Sequence, residues 1–235
     1  MSVKSPFSKE NLDFCLKELG KEFRKQNGTS MPAEIILVGG ASVLINYGFR
    51  DATYDIDAVI MASSVMKNAI NRVGEKLGLP HGWLNMDFSK TKSYSRKLIE
   101  FSVYYKTFSN ILTVRTIAAE YLISMKLMSG RQYKNDLSDV IGILWEHEKS
   151  GNPITKEAIN NAVAVLYDYP LPEDSIKFID DAYAFGNIVQ LYHEIQKNER
   201  QAMKILLELK KEYPNTMNED NVALILEKAR RKQTQ

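Results

Sequence analysis

Apolar positions recur along this chain with two different periods. From Lys9 to Gln26, Leu12, Phe14, Leu16, Leu19 and Phe23 return near a helical period, and Asn27-Gly28 closes the run, so the spacing predicts a helix. Pro32 precedes Glu34-Ile-Ile-Leu-Val38, a short β-branched run ended by Gly39-Gly40, which reads as a buried strand. Ala41 to Tyr47 predicts a helix stopped by Gly48, and Tyr54-Asp-Ile-Asp-Ala-Val-Ile60 predicts a second strand. Ser63 or Ser64 offers an N-cap to a helix carrying Val65, Ile70, Val73 and Leu77, which Gly78-Leu-Pro80 breaks. The stretch through Trp83-Leu-Asn-Met-Asp87 reads as irregular. Leu98 to Tyr105 and Ile111 to Val114 predict two further strands, with Phe108-Ser-Asn110 as the turn between them.

Beyond Val114 only the helical period remains. It predicts helices over Ile117 to Met128, Leu137 to His147, Lys156 to Tyr167, Asp174 to Lys197, Arg200 to Lys211 and Glu219 to Arg231. Asp174 or Ser175 and Asn218 are candidate caps, and Pro153, Pro170, Pro172 and Pro214 fall in the breaks. Strands followed by helices alone predict an α/β (α+β) domain over residues 1–115 and a helical domain over residues 116–235.

Composition narrows the function classes. Of 235 residues, 44% are apolar and 26% charged, which is ordinary for a globular chain. Thirty-one Lys and Arg against twenty-nine Asp and Glu leave a net charge of +2, so a broad electrostatic coat for nucleic acid is excluded and any such grip is local. One cysteine, Cys15, leaves no internal disulfide and no cysteine-based zinc site. The opening Met1-Ser-Val-Lys-Ser-Pro6 has no apolar core and no run of about 18 apolar residues follows, so the expectation is a cytoplasmic protein without a membrane span. His81, His147 and His193 lack metal-ligand spacing.

The sharpest chemistry lies in Val38-Gly39-Gly40-Ala41-Ser42 and Asp55-Ile56-Asp57. On a strand, residues two apart share a face, so the two aspartates project side by side while Ile56 goes inward. Two adjacent carboxylates repel, and a divalent cation, lysine or arginine offsets them; hard oxygen ligands suit Mg²⁺, with nucleotide phosphates completing the shell. The glycines let backbone amides approach a phosphate at the start of the next helix. A solvent-facing D-x-D beside an ordinary glycine turn is the plainer alternative.

Val38-Gly-Gly-Ala-Ser42, Tyr47-Gly-Phe-Arg50, Thr53 and Asp55-Ile-Asp57 together resemble the opening motif of the nucleotidyltransferase superfamily, with its DNA polymerase beta-like fold and its CCA-adding and kanamycin-nucleotidyltransferase-like members. Downstream, Trp83-Leu-Asn85, Ala119-Glu-Tyr-Leu-Ile-Ser-Met-Lys126, Arg131 and Lys134-Asn-Asp-Leu-Ser-Asp139 resemble AbiEii-type and related bacterial nucleotidyltransferases, many of them toxins of toxin–antitoxin or abortive-infection systems. Ser42-Val43 stand where CCA-adding enzymes carry an arginine-aspartate pair, so the resemblance does not extend to CCA addition.

The resemblance implies a Mg²⁺- or Mn²⁺-dependent transfer of a nucleoside monophosphate from an NTP to a hydroxyl on RNA (tRNA among the candidates) or protein, and an antitoxin as partner. It implies Asp55 and Asp57 as catalytic metal ligands and a third carboxylate, for which Glu100 is the first choice and Asp87 the second. It further implies Gly39, Gly40, Ser42, Arg50 and Thr53 around the nucleotide, with Lys126, Asp136 and Asp139 bordering the pocket. From pattern alone, Lys126 instead reaches solvent along an apolar helix face, and Asp136 and Asp139 favour a helix start. Lys90, Lys92, Arg96, Lys97 and Lys106, interleaved with Tyr94, Tyr104 and Tyr105, read equally as a grip for an RNA end and as a solvated loop. A non-catalytic nucleotide- or partner-binding module is the competing class.

Overall fold

Ser8 accepts the Asn11 amide at 3.4 Å and opens the first helix, α1 (Lys9–Asn27), which Gly28 ends at φ 70°. The computed structural model describes residues 6–29, 31–131, 134–212 and 221–233. The cap expected at Asn218, the break at Pro214, the opening residues Met1 to Ser5 and the side chains of Arg230, Arg231 and Lys232 lie outside the described residues.

The strand-bearing part continues with β1 (Ala33–Leu37), α2 (Gly39–Asn46), β2 (Ile56–Met61), α3 (Val65–Leu77), β3 (Leu84–Asn85), β4 (Ser102–Phe108) and β5 (Leu112–Ile117). They form one mixed sheet in the order β3-β2-β1-β5-β4, with β1 antiparallel to β2 and parallel to β5. Ala33, Ile35, Leu37, Ile56, Ala58, Leu112 and Val114 face one way, onto Leu12, Leu16, Leu19 and Phe23 of α1 and Ile70 and Val73 of α3. The period-2 pattern of the strands thus meets the helical stripe of α1, and removal of both from water drives the assembly. Glu18 ties the two helices at their rim, 2.6 Å from Lys76. Burial pushes the Cys15 thiol up to about 11, away from thiolate chemistry.

Two expectations are corrected here. The strand expected from Leu98 begins only at Ser102, because Arg96–Ile99 winds as a short 3-10 turn with Ser95 Oγ accepting the Lys97 amide. The stretch around Trp83, read as irregular, contributes β3, whose two residues pair with Ile56 and Asp57.

The helical elements are α4 (Ala119–Ser129), α5 (Asp136–Lys149), α6 (Lys156–Leu166), α7 (Glu173–Ala184), α8 (Ile188–Glu212) and α9 (Val222–Gln233). The mixed α/β class with a helical C-terminal half is what the chain adopts. The long helix expected from Asp174 to Lys197 is two helices, because Gly186 stands at φ 76° between them. The break expected between Lys197 and Arg200 is absent: Asn198 and Glu199 continue the helix and α8 runs for 25 residues.

By compactness the chain forms two units, residues 1–125 with 157–170 and residues 126–156 with 171–235. In the first, Ser95 Oγ donates to the Leu166 carbonyl at 2.8 Å and Tyr167 Oη to the Ser93 carbonyl at 2.7 Å, fastening the end of α6 to the loop before β4. In the second, Trp145 of α5 tilts against Tyr192 of α8 at 5.6 Å, and Ala202, Leu206, Val222 and Leu226 join α8 to α9. Among the described residues, no helix is long and apolar enough to cross a membrane.

Candidate functional site

The antiparallel pairing of β1 with β2 decides where the glycine turn lies. Leu37 stands opposite Ala58, and one step on the Val38 amide donates to the Asp57 carbonyl at 2.9 Å. The chain then turns at Gly39, φ 55°, straight into α2. A Cβ on Gly39 would stand 4.0 Å from Asp57 Oδ2, so that carboxylate faces the turn. Asp55 precedes the strand and is exposed, Asp57 is half-buried and Ile56 between them is fully buried. The N-cap of α2 is Val38, which offers no side-chain acceptor to the first-turn amides.

Gly40 has a different reason to be glycine. A Cβ there would fall 2.7 Å from Thr53 Oγ1 and 2.9 Å from an Arg50 guanidinium nitrogen. Thr53 is itself fixed: it exchanges both backbone hydrogen bonds with Phe7 and its hydroxyl donates to the Asp55 carbonyl at 3.1 Å. Arg50 Nε donates to the Ala52 carbonyl at 3.1 Å. The residues between α2 and β2 therefore fold back onto the turn and brace the backbone at Asp55. Ser42 is fully buried, and its oxygen accepts the Ile117 amide at 3.1 Å, which ties α2 to β5.

A second charged group lies in the helical unit. Lys126 does not reach solvent; it is 6% exposed, and its ammonium sits 2.8 Å from both Asp136 Oδ1 and Asp139 Oδ2. Arg131 Nε adds a 2.7 Å contact to Asp136 Oδ2. Burial raises the Asp136 carboxyl, but Lys126 and Arg131 outweigh it and hold the group well below the usual carboxylate range.

The model of a family described as a nucleotidyltransferase of unknown function (DUF6036) matches residues 15–148, more than half of the chain. The chain belongs to this nucleotidyltransferase family. Among solved structures it is similar to an antigenic nucleotidyltransferase-like protein from Paracoccidioides brasiliensis, at 14% identity and a TM-score of 0.39, over 69% of this chain and 89% of that one. No curated protein matches it.

The span matched by the nucleotidyltransferase family takes in the glycine turn, both aspartates and the Lys126 group. The other expected residues are placed less closely. Glu100 ends the 3-10 turn before β4, and Asp87 starts another such turn, paired with Lys90 at 2.9 Å. Among the described residues, no three of His, Cys, Asp and Glu come together as a metal-holding group, so neither acid makes a triad with Asp55 and Asp57. The basic stretch is partly neutralised: Lys97 stands 3.8 Å from Asp168, and Lys106 stands 3.0 Å from Asp13.

Sequence reading missed Glu199, which is buried on α8. Its Oε1 accepts the Leu137 and Ser138 amides at 3.0 and 3.2 Å, capping α5 from another helix. The one signal in the sequence was the lack of Gly or Pro between Lys197 and Arg200, which favours an unbroken helix.

Proposed function

We propose that this protein transfers a nucleoside monophosphate from an NTP to a hydroxyl group, with Asp55 and Asp57 holding Mg²⁺ or Mn²⁺. The observation that carries this reading is the pairing of Val38 with Asp57, which sets the glycine turn and the D-x-D side by side at one end of the sheet. The donor set suits the ion: Mg²⁺ is commonly held by one or two carboxylates, with substrate phosphates and water filling the rest of its shell. When bound, such an ion neutralises charge that builds on the phosphates.

The chain's own residues bind and orient the nucleotide. The Gly39-Gly40 backbone faces the triphosphate, with the amides of the α2 start toward the negative charge and the Asp57 carboxylate beside Gly39. Arg50 and Thr53 keep that turn in place from behind, and Thr53 holds the backbone at Asp55. The oxygen of an acceptor hydroxyl then attacks the α-phosphorus, a new P–O bond forms as the bond to pyrophosphate breaks, and the hydroxyl proton passes to solvent. We assign Ser42 and the Lys126–Asp136–Asp139 group to the scaffold, since each is buried among partners of its own.

The acceptor is a hydroxyl on RNA, tRNA included, or on protein. The resemblance to AbiEii-type proteins extends the reading to a toxin with an antitoxin partner. A second reading, a nucleotide-binding module without turnover, is favoured by the absence of a third carboxylate beside Asp55 and Asp57 among the described residues. Incubating the protein with each α-labelled NTP, Mg²⁺ or Mn²⁺, and total RNA or cell lysate separates them. Label transfer by the wild type and none by Asp57→Ala is expected. Transfer that persists in the variant would remove the D-x-D from the mechanism, and nucleotide binding without transfer in either protein would establish the second reading.

A further inference from the structure

The helical unit contains a buried carboxyl that transfer chemistry does not use. Glu199 is 3% exposed, and its two oxygens differ in their surroundings. Oε1 accepts the Leu137 and Ser138 amides in the first turn of α5, whereas Oε2 is buried with no hydrogen-bond partner among the described residues. A buried oxygen in that position is tolerable as a neutral O–H and costly as an unpaired charge.

Among the described residues, the groups around it do not supply the missing countercharge. Asp139, the charged neighbour on α5, is itself negative and disfavours a second negative charge. Lys126 from α4 is already engaged by Asp139 and Asp136, and Arg131 by Asp136. Further along the same face of α8, Ala202 and Leu206 meet Val222 and Leu226 of α9, which are apolar.

We propose that Glu199 is a proton-held clasp, which in its neutral form fastens α8 to the first turn of α5 and on ionisation releases it. Burial, with Asp139 adding to it and the Ser138 and Leu137 amides opposing, pushes the carboxyl up to about 8. The folded pKa therefore lies above the unfolded one. The clasp is fully effective below the unfolded carboxylate pKa, and its contribution to stability declines as pH rises from there toward the folded value. Since the first turn of α5 carries Asp136 and Asp139, release also loosens the seat of Lys126.

The test is an amide-resolved NMR titration of the full chain from acid to alkaline pH, comparing wild type with Glu199→Gln and Asp139→Asn. Glutamine keeps a carbonyl for the two amides and cannot ionise. The Leu137 and Ser138 resonances of the wild type are expected to titrate with a midpoint near 8, to stay flat in Glu199→Gln, and to titrate at a lower midpoint in Asp139→Asn. Flat wild-type resonances, or an unchanged midpoint in Glu199→Gln, would overturn the clasp. Should Asp139→Asn fail to fold, the comparison of wild type with Glu199→Gln decides alone.

Discussion

The two acidic groups of this protein share a residue type and little else. Asp55 and Asp57 stand at the start of a strand, one exposed and one half-buried, beside a backbone turn with no side chain of its own. Asp136, Asp139 and Glu199 are all buried, with Lys126 and Arg131 against the aspartates and helix amides against Glu199. Asp57 stands beside the glycine turn at one end of the sheet, whereas Asp136 and Asp139 are enclosed together with Lys126. On the proposed function, position on an element, more than residue identity, is what separates the two groups.

The largest expected effects test that division. Asp57→Asn should lower label transfer by a factor on the order of 10² or more and act on rate more than on the unfolding curve, because an electrostatic group at a reacting centre contributes that much to rate. Lys126→Met should do the reverse. It leaves two aspartates buried without their shared cation, and urea unfolding should report a loss of roughly 3–5 kcal/mol. If instead Lys126→Met folds normally and loses only transfer, the Lys126 group belongs to the site.

Smaller effects sharpen the comparison. Gly40→Ala forces a methyl toward Thr53 Oγ1 and Arg50, and should cost about 1–3 kcal/mol in urea unfolding, with nucleotide affinity falling beside it. The Glu199 carboxyl, raised by burial, should make wild-type stability fall with rising pH by at most about 1.4 kcal/mol per unit. That slope should be missing in Glu199→Gln, as read from urea midpoints across the same range. Lys90→Ala removes an exposed pair with Asp87 and should change stability by less than about 1 kcal/mol.

The stripe of Leu12, Leu16, Leu19 and Phe23 and the run before Gly39 were legible because a period written over many residues survives any single exception. The inward turn of Ile56 between Asp55 and Asp57 was legible from the alternation of a single short strand. What was hidden depends on partners far away in the chain. β3 is a strand only through its pairing with β2, and Ser42 beside a glycine turn gives no hint that its oxygen meets an amide 75 residues later. Glu199 sits among Lys197, Asn198 and Arg200 and reads as a solvated position; only the approach of the α5 start encloses it. The joined reading of α7 and α8 failed because the residues on either side of Gly186 are alike, and the left-handed backbone at that glycine is what separates them.

The return of residues 157–170 to the strand-bearing unit has a consequence for how the chain becomes a protein. Neither unit is one stretch of polypeptide, so no single cleavage yields either of them whole. During synthesis, the Ser93 and Ser95 partners lie on residues made more than 70 positions later, after all of α5. The sheet is therefore complete in sequence long before its unit is complete in contacts. The first half waits, and the α5 segment has to emerge and be passed over before the last pieces of its neighbour arrive.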